Sequence, residues 1–273
     1  MNKKVQKDIK SLVLQNLIEN GTLLDLEKKN IGLEEIYLMC QLDKIPTIEK
    51  VYLSDNGFGD QEIKALAELN LSDKISHLYL NHNNIGNEGG EGLKSLLNAR
   101  WTSNLKCLML EANSIGPAGA RTITEDGILA RLETLFLDSN PLGVEGAEIL
   151  AQAENMTALE ALHLDKTDLG DDGVRILSET KTLTRLKNLY LCSNRIGNVG
   201  FTALVESSAF KTLKVLSVWR NEIRDEGGEL LSREDVFPNL ERLYMSLNFI
   251  DRPMRRIIRS GALAKRLKTL VMD

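Results

Sequence analysis

The sequence predicts a single α/β solenoid with a parallel β-sheet on its concave face and α-helices on its convex face. Three observations lead to this fold class. The pattern Leu-x-x-Leu-x-Leu-x-x-Asn-x-Ile-Gly returns along almost the whole 273-residue chain. Its first apolar residue recurs at steps of 27 residues, apart from one step of 30, and another apolar position follows at a fixed offset. A constant period of this length is typical of stacked supersecondary units.

Each unit is expected to begin with a short strand. Alternation, as in Leu186-Lys-Asn-Leu-Tyr-Leu, puts leucines on one face of a strand and the intervening residues on the other. The asparagine that follows, such as Asn194, is expected to satisfy backbone groups in the turn leaving the strand. The first apolar residue of a copy falls at positions 48, 75, 105, 132, 159, 186, 213, 240 and 267, and a degenerate copy around Leu24 precedes them.

The second half of each unit is expected to be a helix. A glycine such as Gly197 allows the bend after the strand, and a second one such as Gly200 allows close approach between helix and strand. Because helices are wider than the roughly 4.8 Å spacing of strands, the stack must curve with its strands inside. The buried side of a helix of two to three turns is marked by Leu66, Leu96, Ile123, Leu150, Leu177, Leu204, Leu231 and Ile258.

Three kinds of departure from the pattern are visible. Thr167 replaces the asparagine, and its hydroxyl can supply part of the same hydrogen bonding. Arg224 and Asp251 replace the turn glycine, so we expect looser turns there. The unit with three extra residues carries them near 87–92, and because three residues make almost one helical turn, they are expected to lengthen a helix without changing its buried face.

The sequence predicts one domain over residues 1–273. Residues 1–20 mix apolar residues with lysines in a helical pattern, which predicts an N-terminal cap, and residues 21–251 hold the repeats. Residues 252–273 carry a charge of +6 and predict a basic helix followed by the last strand. This basic face is interpreted as solvated, with docking of an acidic partner or a membrane surface as the alternative. The uncovered edge of the last strand indicates either a trimmed chain or pairing, such as self-association with a second copy.

The repeats resemble those of leucine-rich-repeat proteins of the ribonuclease-inhibitor-like class. The phrase Asn-x-Ile-Gly-x-x-Gly, as in 194–200, is similar to the repeats of nucleotide-binding-domain immune receptors and of the Ran GTPase-activating protein. The resemblance covers roughly residues 21–273 and implies a leucine-rich-repeat solenoid, a horseshoe arc of about ten repeats of 27 residues. It implies binding of a partner, and it is nearly silent about chemistry.

Composition and charge argue against several classes of protein. A net charge of −5 is unlike that of a general nucleic-acid binder. No apolar stretch approaches the roughly 20 residues of a membrane-spanning helix, and the run at 12–14 is too short for an export signal. Cys40, Cys107 and Cys192 lie far apart, so neither a disulfide framework nor a structural zinc site is expected. This cysteine usage predicts a cytoplasmic protein.

One column of the predicted concave face is rich in aromatic residues. It consists of the residue between the two strand leucines in successive units: Tyr52, Tyr79, Met109, Phe136, His163, Tyr190, Ser217 and Tyr244. Aromatic residues favour strand centres for structural reasons alone. On an exposed face they also anchor binding surfaces, and this is the interpretation that we favour. The column therefore predicts contact with a protein partner.

The neighbouring column of the same face holds three acids in consecutive units, Glu111, Asp138 and Asp165. Carboxylates about one strand spacing apart repel one another, which favours a cationic partner such as the lysines and arginines of a protein. A divalent metal is less favoured because no further ligands converge, and solvated acids on an acidic protein are the simpler alternative. At one flank stand Trp219 and Arg220, residue types enriched in binding hot spots.

The sequence predicts neither an enzyme nor a bound metal or cofactor. His77 and His82 are five residues apart along strand and turn, too far to share one metal. His163 lies near Asp165, but no serine or cysteine is placed as a nucleophile. We therefore expect a non-enzymatic module that binds a protein on its concave face.

Two biological contexts follow from resemblance. Stand-alone repeat proteins of this type resemble effectors that intracellular bacteria deliver into a host cell, which implies the host cytosol. The alternative is a regulator of a small GTPase, by similarity to the Ran GTPase-activating protein, which acts by positioning groups of the GTPase itself. The basic C-terminal segment argues against this alternative, because that family carries an acidic tail.

Overall fold

Eleven short strands pair in sequence order into one open sheet in the computed structural model. The structure describes residues 3–43, 47–86, 90–125 and 129–273. The strands are β1 Leu17–Ile18, β2 Leu23–Asp25, β3 Lys50–Tyr52, β4 His77–Tyr79, β5 Cys107–Met109, β6 Thr134–Phe136, β7 Ala161–His163, β8 Asn188–Tyr190, β9 Val215–Ser217, β10 Arg242–Tyr244 and β11 Thr269–Val271. From β2 to β11 every neighbouring pair is parallel, which confirms the predicted leucine-rich-repeat solenoid and its ten repeats.

A helix follows each strand of the stack except the last. The α-helices of the described chain are α1 Lys3–Gln15, α2 Leu33–Met39, α3 Asp60–Leu66, α4 Glu91–Leu97, α5 Pro117–Ile123, α6 Gly143–Ala151, α7 Gly170–Ser178, α8 Asn198–Glu206, α9 Asp225–Glu229, α10 Arg252–Ser260 and α11 Ala262–Arg266. The expected lengthening of α4 is wrong, because α4 has seven residues, like α3 and α5. The extra residues precede it, and 87–89 lie outside the described residues.

The core is a continuous layer of leucines between the sheet and the helices. Leu189 and Leu191 of one repeat are fully buried, as is Leu204 on the following helix. All eight apolar helix positions named from the sequence are at most 1% exposed, and Trp101 is 2% exposed. Burying one such side chain contributes about 1.5–3 kcal/mol. No single unit can bury its leucines alone, so this contribution depends on stacking.

An asparagine ladder runs along the turns that leave the strands. The Asn83 Oδ1 atom accepts the backbone N–H groups of Asn56 and Phe58, 3.1 and 3.0 Å away, and its Nδ2 donates to the Leu80 carbonyl oxygen. Thr167 supplies only part of this bonding, as expected: its hydroxyl donates to the Leu164 carbonyl oxygen and to Asn194 Oδ1. The ladder therefore confirms the structural role predicted for the repeated asparagine.

The glycines of the turns act partly as expected. A Cβ at Gly86 would lie 2.3 Å from the Ser114 carbonyl oxygen, so this turn has no room for a side chain. A Cβ at Gly200 would lie 2.6 Å from Asp171 Oδ1, so the close approach there is to the neighbouring helix rather than to a strand. The looser turn expected at Arg224 is wrong: its φ of −109° matches the −94° of Gly197, because extended backbone suits any residue.

Both ends of the stack are covered by more structure than the repeat pattern shows. Helix α1 buries Ile9 and Val13 against the first repeat. Strand β1 then pairs antiparallel with β2 through a turn in which Asn20 and Gly21 have positive φ. This Asn-Gly pair is a hairpin signal that the repeat analysis overlooked. At the other end, Arg266 donates to the carbonyl oxygens of Val236 and Phe237, so part of the basic segment caps the last turns.

Candidate binding surface

The aromatic column of the concave face is in register across the sheet. Each of its members pairs directly with the next, from Tyr52 with Tyr79 through to Ser217 with Tyr244. The side chains are half-buried, apart from Ser217, which is buried. The column therefore forms an open stripe rather than a part of the core, and we keep the name aromatic column for these eight residues.

Within the column, rings stack on one another across neighbouring strands. The His163 ring centroid lies 3.7 Å from that of Phe136 and 4.0 Å from that of Tyr190, with interplanar angles of 24° and 14°. The Tyr52 and Tyr79 centroids lie 4.2 Å apart with tilted rings. Burial lowers the pKa of His163 to about 4, so the stacked imidazole is neutral near pH 7. Stacking pre-orders these side chains, which reduces the entropy lost when a partner immobilises them.

The neighbouring column makes a second ladder that the repeat pattern did not reveal. Asp138 Oδ1 accepts the backbone N–H of Asp165, and Asp165 Oδ1 accepts that of Cys192, each at 2.6 Å. Asn81 makes the corresponding bond to Glu111 at 2.9 Å. These side chains therefore fix the backbone that follows the next strand by hydrogen bonds, in addition to any contact with a partner.

The three acids of this column are electrostatically strained. The pKa of Asp138 is raised to about 7, mainly by burial and in part by the charges of Asp165 and Glu111, against the lowering effect of the hydrogen bond from the Asp165 N–H. Burial also raises the pKa of Asp165. A cation that approached this column would relieve the repulsion. The arrangement fits the predicted attraction for lysine or arginine side chains, and the role of these residues in partner binding stays a prediction.

Trp219 and Arg220 lie at the end of β9 and both are exposed, as expected for the flank of a binding surface. Trp219 is 38% exposed, in contrast to the buried Trp101. An open cavity of about 550 Å³ lies beside it, lined also by Tyr244 and Leu247. The sequence analysis missed Leu247, which is 55% exposed and takes the place of Arg220 in the next repeat. The sequence could have indicated this residue, because Leu247 is apolar at a position of the repeat that faces solvent.

The cysteines and histidines do not form an activated group. Cys192 Sγ lies 3.0 Å from Ser217 Oγ, and burial raises the pKa of the Cys192 thiol to about 12. Burial likewise raises the pKa of Cys107 to about 11, and all three cysteines are free thiols, as predicted. In the part of the chain that the structure describes, no group of three or more histidine, cysteine, aspartate or glutamate side chains could hold a metal ion.

A comparison with family models supports the repeat fold. A family model for the leucine-rich repeat matches residues 74–94 and 211–232. Among solved structures, an internalin from Listeria monocytogenes is similar, with a TM-score of 0.49 and 17% sequence identity, over 99% of this chain and 75% of that chain. No curated protein matches the sequence significantly. The matched segments are leucine-rich repeats, whereas the likeness to the ribonuclease-inhibitor-like class stays a prediction.

The structure also brings residues of a third outward-facing column onto the same face. These are the first residues of the strands, among them His77 of β4 and Arg242 of β10, which pair in register with their neighbours. Arg242 is exposed and lies two residues before Tyr244, on the same side of the strand.

None of the helices in the described residues has the length and the apolar composition that a membrane-spanning helix requires.

Proposed function

We propose that the protein is a non-enzymatic binding module that holds a protein partner on its concave face. The observation that carries this proposal is the in-register aromatic column, a stripe of large side chains that are half-buried without a covering element in the described chain. Leucine-rich-repeat solenoids create extended concave surfaces of this kind, and these proteins use them for binding.

The chemistry of the column supports contact with protein rather than with a small molecule. Tyr52, Tyr79, Tyr190 and Tyr244 combine apolar rings with hydroxyl groups, the combination that dominates protein interfaces. The stripe crosses eight strands at roughly 4.8 Å spacing, so it extends over about 30 Å. This length suits an extended surface of a protein and exceeds the span of a typical small-molecule pocket.

The acids beside the column add specificity to the proposal. Glu111, Asp138 and Asp165 lie one repeat apart next to Met109, Phe136 and His163, so apolar and negative groups are interleaved. A partner with lysine or arginine side chains beside apolar ones would match this arrangement. The cytoplasmic location, the role as a delivered effector, the regulation of a small GTPase and self-association through the outer strand stay predictions.

Affinity capture tests the proposal. The purified chain and its Tyr79→Ala/Tyr190→Ala double variant are used to capture proteins from a cell lysate, which are then identified by mass spectrometry. The control is Tyr37→Ala, which removes an aromatic side chain that is 54% exposed on α2, away from the sheet. We expect proteins that are captured by the wild type and by the control and lost with the double variant.

An identical set of captured proteins for all three chains would contradict the concave site. Circular dichroism and thermal melting of each variant distinguish loss of binding from loss of folding. The column residues are half-buried, so their replacement by alanine removes surface area without emptying the core.

A further inference from the structure

Large apolar side chains cluster in two neighbouring repeats near the C-terminal end of the sheet. Trp219, Leu247 and Phe249 are 38%, 55% and 57% exposed. Trp219 and Leu247 line the open cavity of about 550 Å³, and Tyr244 lies beside them. Apolar groups gathered in this way, rather than scattered singly, indicate a docking surface.

Three arginines border these side chains. Arg220 follows Trp219, Arg242 precedes Tyr244 by two residues, and the Arg224 guanidinium lies 5.1 Å from the centroid of the Phe249 ring. All three are exposed, and none makes an ion pair within the described residues.

Three lysines near the strands are paired, whereas Lys166 and Lys214 make no ion pair within the described residues. Lys106, Lys187 and Lys268 each contact a glutamate of the neighbouring repeat, at 3.0, 2.6 and 2.6 Å. Because the three arginines are exposed and make no ion pair within the described residues, they are open to carboxylates from outside the chain. Asp273 also lines the cavity and limits how closely an acid can approach from that side.

We propose that this region binds a protein segment that presents a large apolar side chain flanked by carboxylates. The apolar side chain enters the cavity against Trp219 and Leu247, and the carboxylates pair with Arg220 and Arg242. The planar guanidinium suits a carboxylate because it can donate two parallel hydrogen bonds. We call the region the C-terminal patch, formed by Trp219, Arg220, Arg242, Tyr244 and Leu247.

The position of the C-terminal patch argues against other anionic ligands. A flat membrane cannot enter the concave side of the arc. A nucleic acid that lay along this face would meet the acids Glu111, Asp138 and Asp165. An acidic peptide segment can instead bind at the C-terminal patch without extending as far as these three acids. This inference rests on the proposed function, since it assigns partner chemistry to one end of the same concave face.

Intrinsic fluorescence gives a direct readout of occupancy. The chain has two tryptophans, and Trp101 is 2% exposed, so a soluble ligand perturbs mainly Trp219. The probes are 12-residue peptides from an array in which a central Phe or Leu is flanked by Asp and Glu, by Lys, or by Ser and Gly. The labelled full-length chain is applied to the array, and the strongest peptide of each class is then titrated in solution.

We expect the acid-flanked class to change Trp219 emission and to bind at least about tenfold more tightly than the serine-flanked class. The lysine-flanked class should bind most weakly. Equal affinities for the three classes would overturn the role of the arginines. Unchanged Trp219 emission with every peptide up to about 1 mM, a concentration that detects even weak binding, would overturn the C-terminal patch as a site.

Variants locate the binding to the named residues. Trp219→Ala should weaken the best peptide by about 30-fold, as for a hot-spot residue, and this variant is followed by fluorescence anisotropy of labelled peptide. Arg220→Gln/Arg242→Gln should cost about tenfold and reduce the loss of affinity between roughly 50 and 300 mM salt, because fewer charges remain to be screened. Tyr37→Ala, the matched control, should bind like the wild type; equal losses in all variants would contradict the assignment.

The two proposals can fail separately. If no peptide binds while protein capture still depends on Tyr79 and Tyr190, the C-terminal patch is excluded and concave binding stands. If acid-flanked peptides bind through Trp219 while the Tyr79→Ala/Tyr190→Ala variant captures the same proteins as the wild type, the C-terminal patch stands and protein binding through the aromatic column is excluded.

Discussion

The Asp138 carboxylate accepts a 2.6 Å hydrogen bond from the backbone N–H of Asp165, one repeat further along the sheet. Asn81 makes the equivalent bond to the N–H of Glu111. The same position can therefore be filled by a charged or by a neutral acceptor. The charged acceptor is energetically less favourable than the neutral one, because it is partly buried beside two further acids.

Asp138→Asn is expected to stabilise the protein at alkaline pH. The amide oxygen can keep the bond to the Asp165 N–H, as Asn81 shows, while the repulsion disappears. The gain should be about 1–2 kcal/mol at pH 8. Urea unfolding measures it, and Asp138→Ala is the control: it also removes the buried charge but leaves the Asp165 N–H without its acceptor, so it should be about 1 kcal/mol less stable than Asp138→Asn.

The gain from Asp138→Asn should depend on pH. The pKa of Asp138 is raised to about 7 in the folded protein. Between about pH 4 and 7 the folded protein keeps this proton while the unfolded chain releases it. The contribution of Asp138 to the free energy of unfolding is therefore complete below about pH 4 and is lost as the pH rises to about 7. The difference between variant and wild type should therefore shrink towards pH 4. A difference independent of pH would contradict the raised pKa.

His163→Phe tests the opposite pH dependence. Burial lowers the pKa of His163 to about 4, below that of the unfolded chain, so this group costs stability as the pH falls from about 6.5 to 4. Phenylalanine can stack between Phe136 and Tyr190 and cannot be protonated. The variant should therefore gain stability relative to the wild type as the pH is lowered, measured by unfolding at a series of pH values; a constant difference would exclude a buried neutral imidazole.

Asn194→Ala should disrupt the asparagine ladder at a fully buried position. Asn194 Oδ1 accepts the backbone N–H of Thr167 at 3.0 Å and that of Leu169 at 3.3 Å, and the residue is fully buried. Removing the amide leaves these groups unpaired, which should cost about 2–4 kcal/mol. Chemical denaturation measures the loss, and the exposed Asn98→Ala should change stability by less than about 0.5 kcal/mol. Equal effects at both positions would mean that the ladder contributes little.

Two glycines provide a matched pair of packing tests. A Cβ at Gly200 would lie 2.6 Å from Asp171 Oδ1 and 3.0 Å from the Asp171 Cα, whereas one at Gly116 would meet nothing nearer than 3.8 Å. Gly200→Ala should therefore destabilise by about 1–3 kcal/mol, because neighbouring helices must separate. Gly116→Ala should be nearly neutral, since the φ of Gly116 is −94°. Thermal melting of both variants decides the matter: a neutral Gly200→Ala would show that the helices can move apart freely.

The repeat period and the leucine alternation were sufficient to predict the architecture. Steps of 27 residues, with one of 30, place equivalent positions of the motif side by side, so the register from Tyr52 to Tyr244 follows from the sequence. Strand β1 was not predicted because its antiparallel pairing follows a hairpin turn rather than the period. The length of α4 was wrong because the extra residues fall before the helix instead of inside it.

The sequence by itself determined the fold, the buried leucines and the residues that face the hollow, because these follow from periodicities of two and of 27 residues along one chain. Only the tertiary structure decided that Asp138 and Asp165 bind neighbouring backbone, that His163 stacks between Phe136 and Tyr190, and that Leu247 joins Trp219 at one cavity. These relationships depend on distances between side chains of different repeats, which curvature and side-chain packing set.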